Sequence, residues 1–128
     1  MGSVMDLFRR RFILIVDDNR DLALSLSLLL KLVGFDVVAA YDGYEALAIA
    51  RTRWPDILIL DIGLPGLNGY EVARQFRNDE RLRTVLIIAH SAYPPDSSPG
   101  RTNERDFDHY LVKPADIQTL LPLLRDPG

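Results

Sequence analysis

Five side chains in this sequence could share a reactive site: Asp17, Asp18, Asp61, Ser91 and Lys113. Each follows a strand-like run. Phe-Ile-Leu-Ile-Val at 12–16 stops at Asp17-Asp18-Asn19, and Ile-Leu-Ile-Leu at 57–60 stops at Asp61. Thr-Val-Leu-Ile-Ile-Ala at 84–89 stops at His90-Ser91, and the run 107–112 stops at Lys113-Pro114. Taken singly, each has a plainer explanation. Paired acids before a helix are usually caps, an Asp after a strand is most often a turn residue, and Lys-Pro is a solvated loop. Gathered at one edge of a sheet, the carboxylates would repel and raise one another's pKa unless a cation sat among them. Oxygen ligands without cysteine suit a hard cation, and Mg²⁺ is the natural choice. A carboxylate facing Mg²⁺, an ammonium and a hydroxyl is equipped to accept a phosphoryl group, with Asp61 as nucleophile.

The pattern around these residues predicts the elements that place them. Runs at 12–16, 35–40, 57–61, 84–89 and 107–112 have the length and β-branching of strands. Between them, 21–33 reads as a helix with Leu22, Leu26, Leu29 and Val33 on one face, ended by Gly34. Leu24 and Leu28 lie off that face; they are a possible dimer or partner surface, though such leucines are more often covered by neighbours. Asp42-Gly43 leads into a second helix with Ala46, Leu47, Ile49 and Ala50, and Trp54-Pro55 should close it over the sheet. Asn68 can cap a third helix at 70–77, and 116–124 forms a last one, weakened by Pro122. Alternating strands and helices argue for right-handed βαβ units and a parallel sheet covered on both faces. Ligands bind beyond the carboxyl ends of strands in such sheets, where these side chains fall.

Composition narrows the class. The chain has 128 residues, 48% hydrophobic and 26% charged, with a formal net charge of −3 and no cysteine. It is expected to form one domain at 12–125, with an N-terminal extension at 1–11 and a tail at 126–128. The charge is too small to point to nucleic acid or an anionic membrane, and thiol chemistry is excluded. The longest apolar stretch, 22–30, is far short of the ~20 residues a membrane helix needs. No secretory signal is visible, so a cytoplasmic location is expected.

In the order and intervals of Asp17-Asp18, Asp61-x-x-x-Pro65-x-x-x-Gly69, Ser91-Ala92 and Lys113-Pro114, the chain resembles a response-regulator receiver domain of two-component signalling. The resemblance runs from about residue 12 to 124. It implies an α/β, flavodoxin-like three-layer sandwich with a five-stranded parallel sheet in the order 2-1-3-4-5. It makes Asp61 the phosphoacceptor, supplied by a phosphohistidine of a histidine kinase or histidine phosphotransfer protein. Asp17, Asp18, Asp61 and the backbone carbonyl of Gly63 would bind Mg²⁺, and Lys113 would pair with the phosphoryl group. Ser91 and Tyr110 would be the switch residues, Pro65, Gly69 and Pro114 would shape the loops, and the Lys113-Pro114 bond would be cis. Such a protein is a signalling phosphoacceptor rather than an enzyme, and its output would be an altered partner contact.

One stretch departs from the family pattern. Residues 93–100 read Tyr-Pro-Pro-Asp-Ser-Ser-Pro-Gly where the family has its fourth helix, and three prolines with a glycine cannot make a regular one. A loop is expected there, with at most a turn at 101–105 and with partner recognition altered. Two other functions compete. A small-substrate phosphohydrolase with an Asp nucleophile generally needs a second acid two residues on, where this chain has Gly63. A degenerate receiver that binds partners without phosphorylation is disfavoured by the complete set of site residues. The chain could stand alone or belong to a larger protein such as a hybrid kinase.

Overall fold

The computed structural model describes residues 10–93 and 106–125. Five strands, β1 (Phe12–Val16), β2 (Asp36–Ala40), β3 (Ile57–Leu60), β4 (Leu86–Ser91) and β5 (His109–Val112), form one parallel sheet in the order β2-β1-β3-β4-β5. Four helices accompany them: α1 (Arg20–Leu32), α2 (Gly43–Thr52), α3 (Gly69–Asn78) and α4 (Ile117–Arg125). This is the flavodoxin-like sandwich expected from the sequence. The proline-rich stretch expected to be a loop lies, from 94 to 105, outside the described residues.

Strand alternation divides the core. Leu14, Val16, Leu58, Leu60, Ile87 and Ala89 face α2 and α3, meeting Ala46, Leu47, Ala50, Val72, Ala73 and Phe76. Ile13, Ile15, Ile57, Ile59 and Ile88 face the other way, onto Ala23 and Leu30 of α1 and Leu120 and Leu124 of α4. A strand buried on both faces needs apolar residues at every position, which is why β1 and β3 read as unbroken apolar runs. Each buried Leu or Ile contributes about 1.5–3 kcal/mol.

Several boundaries and one helix face differ from expectation. β4 begins two residues later than its apolar run and extends through Ser91, and β5 is shorter, with Phe107 packed in the core ahead of it. The buried side of α1 is Ala23, Ser27 and Leu30, with Leu26 beside them, while Leu29 and Val33 are exposed. Leucine occupies so many positions of this helix that its periodicity has no single phase, and packing against β1 and β2 sets it. Leu24 and Leu28 remain more than half exposed, at 55% and 53%. Trp54 is also exposed and lies under the Arg81 guanidinium at 5.4 Å, so it does not close α2 over the sheet. Pro122 sits inside α4 without ending it.

Two local devices fix the start of α3. Asn68 and Glu71 form a reciprocal capping box. Gly69 packs so closely on the strand end that a Cβ would lie 2.5 Å from the Asp61 carbonyl oxygen and 2.7 Å from Ile62 Cα. Backbone on both sides leaves no flexible neighbour to yield. Gly69→Ala is therefore expected to destabilise the domain by about 1–3 kcal/mol in denaturant unfolding. Ser27 is buried, and its hydroxyl has no hydrogen-bond partner among the described residues. Removing an unsatisfied hydroxyl in favour of the best helix former should raise stability, so Ser27→Ala is expected to gain about 1 kcal/mol in the same measurement.

Candidate functional site

The order β2-β1-β3 makes β1 and β3 neighbours, with Val16 opposite Leu60. The residues just after these strands, Asp17 and Asp61, are thereby brought side by side. Their main chains are fixed by the strands alongside: the Asp17 N–H donates to the Ala40 carbonyl at 3.1 Å and the Asp61 N–H to the Val16 carbonyl at 2.9 Å. Their side chains are held too, because Asp17 Oδ1 accepts the Asn19 N–H at 2.9 Å and Asp61 Oδ1 accepts the Gly63 N–H at 3.1 Å. Asn19 in turn caps α1, its side chain accepting from the Leu22 N–H.

Asp17, Asp18 and Asp61 each offer an oxygen within 4.8 Å of the others. Asp17 and Asp61 are buried and Asp18 is exposed. Lys113, the residue after β5, closes the cluster: its Nζ lies 2.7 Å from Asp17 Oδ2 and 3.5 Å from Asp61 Oδ2. The Asp61 pKa is pushed above the ordinary carboxylate value, mainly by burial and further by the charges of Asp17 and Asp18; the Gly63 N–H and Lys113 work against this. The donor set fits a hard divalent cation, since all three groups are carboxylates and their charge exceeds what one ammonium balances. Gly63 is placed by its N–H contact with Asp61.

Ser91 ends β4 at the same edge, buried, with its Oγ accepting the Tyr93 N–H at 3.2 Å. Tyr110 is half-buried in β5, edge-on to Phe107, and its hydroxyl donates to the Tyr93 carbonyl at 3.0 Å. The Lys113-Pro114 peptide is cis, as expected. Pro65 is exposed in the loop that Gly69 ends.

Sequence reasoning missed two sets of contacts. In the sequence His90 stands only as the residue at which the run 84–89 stops. It lies inside β4, buried, and its Nε2 accepts the Ala115 N–H at 3.4 Å. Arg77, at the end of α3, donates to the carbonyls of Arg83, Val85 and Asp106 and pairs with Asp108 at 2.9 Å. A histidine where a strand position calls for an aliphatic was the available signal for the first. A surface-looking arginine gave none for the second.

A parallel sheet with acids gathered at the carboxyl ends of β1 and β3 and a lysine after β5 defines the class of fold and site. A family model described as the response regulator receiver domain matches residues 13–125. The chain is 37% identical over 121 residues to the DNA-binding response regulator MtrA of Mycobacterium tuberculosis, covering 94% of this chain and 51% of MtrA. It is 33% identical over 109 residues to the protein PilH of Pseudomonas aeruginosa, covering 85% of this chain and 90% of PilH. The structure of the response regulator TrrA of Thermotoga maritima, in complex with Mg²⁺-BeF, superposes with a TM-score of 0.79 at 30% identity, covering 90% of this chain and 96% of that one. The chain belongs to the response-regulator receiver family of two-component systems. It spans about half the length of MtrA. No helix among the described residues is long and apolar enough to cross a membrane.

The raised pKa of Asp61 carries a stability consequence. Without metal, the folded state holds the Asp61 proton more tightly than the unfolded chain, so stability falls as pH rises from the unfolded carboxylate value of about 3.9 through the higher folded one. Asp61→Asn removes that loss. In metal-free buffer the variant is expected to melt above the wild type at pH 7, with the difference vanishing below about pH 4. Equal pH dependence of the two melting curves would contradict it.

Proposed function

We propose that this chain is a phosphoacceptor, taking a phosphoryl group onto Asp61 from the phosphohistidine of a partner histidine kinase or phosphotransfer protein. The observation that carries this reading is the Lys113 ammonium 3.5 Å from Asp61 Oδ2, in a site where three carboxylates offer oxygens within 4.8 Å of one another. A carboxylate oxygen of Asp61 attacks phosphorus, the P–N bond breaks with its electron pair returning to the donor imidazole, and an acyl phosphate forms on Asp61. Asp17, Asp18, Asp61 and the Gly63 carbonyl would hold Mg²⁺, which when bound offsets charge on the transferring oxygens. Lys113 neutralises the same oxygens from the β5 side. Ser91 would then hydrogen-bond the phosphoryl group and Tyr110 would follow it, changing the surface that a partner reads. The role is signalling, with at most slow self-dephosphorylation, and a cytoplasmic setting suits a kinase donor. MtrA is described as DNA-binding; in a longer protein that task would fall to segments other than this domain, whose own site is built for a phosphoryl group.

The test is incubation with Mg²⁺ and acetyl phosphate, followed by intact mass measurement. The expected result is an adduct of about 80 Da, one phosphoryl group, absent without Mg²⁺ and absent in Asp61→Asn. Lys113→Ala should slow its formation by about 10²-fold or more, the scale seen when one stabilising donor is removed. Rapid multiple turnover would favour a phosphohydrolase. No adduct under any condition would favour a phosphorylation-independent interaction module.

A further inference from the structure

Lys113 must reach Asp61 from the far side of β4, so whatever holds its turn sets the distance that matters. Two residues of β4 do so in succession. The Lys113 N–H donates to the Ser91 carbonyl at 2.7 Å, and two residues later the Ala115 N–H donates to the ring of His90 at 3.4 Å. The first bond continues the β4–β5 ladder, in which Ser91 pairs with Val112, and any residue at 91 would supply it. The second depends on the side chain at 90. Alternation along β4 puts His90 on the Ile88 side of the sheet, toward α1 and α4. There it is 5% exposed. An aliphatic residue would fill that place at no desolvation cost, whereas a buried imidazole loses water contacts and has to recover them in a specific bond. Because the Ala115 amide is the donor, Nε2 must carry the lone pair and Nδ1 the proton. The neutral ring is also favoured by its surroundings: burial pushes the His90 pKa down, the Lys113 charge adds to this, and Asp17 opposes it.

We propose that His90 is a positioning residue for Lys113: its Nε2 anchors the Ala115 end of the turn that follows β5, and so fixes where the Lys113 ammonium stands relative to Asp17 and Asp61. The inference rests on the phosphoacceptor reading for its consequence and on the Ala115 bond for its geometry. At 3.4 Å the bond is long for a hydrogen bond, so its contribution is to orientation more than to stability. The substituents that separate this role from simple core filling are leucine, which fills the volume but accepts nothing, and glutamine, whose Oε1 reaches as far along the side chain as Nε2.

The experiment compares wild type, His90→Leu and His90→Gln in two measurements. In amide hydrogen exchange, His90→Leu should release Ala115, raising its exchange rate at least several-fold, while His90→Gln keeps it near wild type. In Mg²⁺-dependent phosphorylation by acetyl phosphate, His90→Leu should lose about tenfold in rate, within the range that misplacement of a reacting group produces, and His90→Gln should recover most of it. Melting temperatures report folding separately, and His90→Leu is expected to melt no lower than wild type. A Leu variant that phosphorylates at the wild-type rate, or a Gln variant as slow as Leu, overturns the proposal. If the wild type takes no phosphoryl group, the phosphoacceptor reading fails instead. The exchange rates then still decide the anchor: equal protection of Ala115 in all three proteins would overturn it.

Discussion

Like charges held at close range are the constraint on which this domain turns. Asp17, Asp18 and Asp61 present oxygens within 4.8 Å of one another, and two of the three are buried. At an effective dielectric of about 20, two unit charges 4 Å apart repel by about 4 kcal/mol. The fold meets this cost in two ways. Lys113 reaches Asp17 at 2.7 Å from the opposite side of the sheet, and burial moves Asp61 toward its neutral form. Neither removes the full charge, since three carboxylates against one ammonium leave two negative charges when all are ionised. The remainder matches a divalent cation. A cation bound there would offset this repulsion, linking stability to site occupancy.

Holding such a cluster needs a scaffold that does not yield, and the sheet supplies it unevenly. β1 and β3 are apolar throughout and buried on both faces, so Asp17 and Asp61 extend from strands packed on either side. The β4–β5 side is joined differently. β5 has four residues, as β3 does, but its burial is partial. Its attachment relies on Arg77, which bonds the carbonyls before β4 and ahead of β5, and on Asp108, whose carboxylate takes both Arg77 and the Ile87 N–H at 2.8 Å. Charged hydrogen bonds here do what apolar packing does around β3. Hydrogen bonds to charged groups contribute about 1.5–3 kcal/mol, so this network is comparable to one or two buried side chains.

How much of this could be read from the sequence follows the same division. Strands β1 and β3 were legible because two-sided burial forces an uninterrupted apolar run, and a charged residue ends it where the core ends. The adjacency of Asp17 and Asp61 came with the strand order, which the resemblance supplied and no periodicity could. The face of α1 was misread because leucines at 22, 24, 26, 28, 29, 30 and 32 satisfy several phases at once; Ala23 and Ser27, the small residues that let the helix approach the sheet, were the better guide. Arg77 and His90 were opaque for another reason. Most of their partners are backbone groups, and a backbone carbonyl or amide leaves no mark in a sequence.

Tyr93 ties together two side chains near the Asp61 edge of the sheet. Ser91 and Tyr110 do not touch each other in any hydrogen bond, yet both are tied to Tyr93: Ser91 Oγ accepts its N–H, and the Tyr110 hydroxyl donates to its carbonyl. If Ser91 turns to bond a phosphoryl oxygen on Asp61, it weakens its hold on the Tyr93 amide, and the residue that anchors Tyr110 is freed to shift. Tyr110 also packs edge-on against Phe107, which itself meets Tyr70 of α3 at 5.6 Å, so its departure would be felt at α3. Tyr93 therefore joins the Ser91 hydroxyl to the Tyr110 hydroxyl through its own backbone. Lys113, by contrast, is held by Ser91's carbonyl rather than its hydroxyl. The Ser91 hydroxyl can thus change partners while its carbonyl keeps the lysine in register.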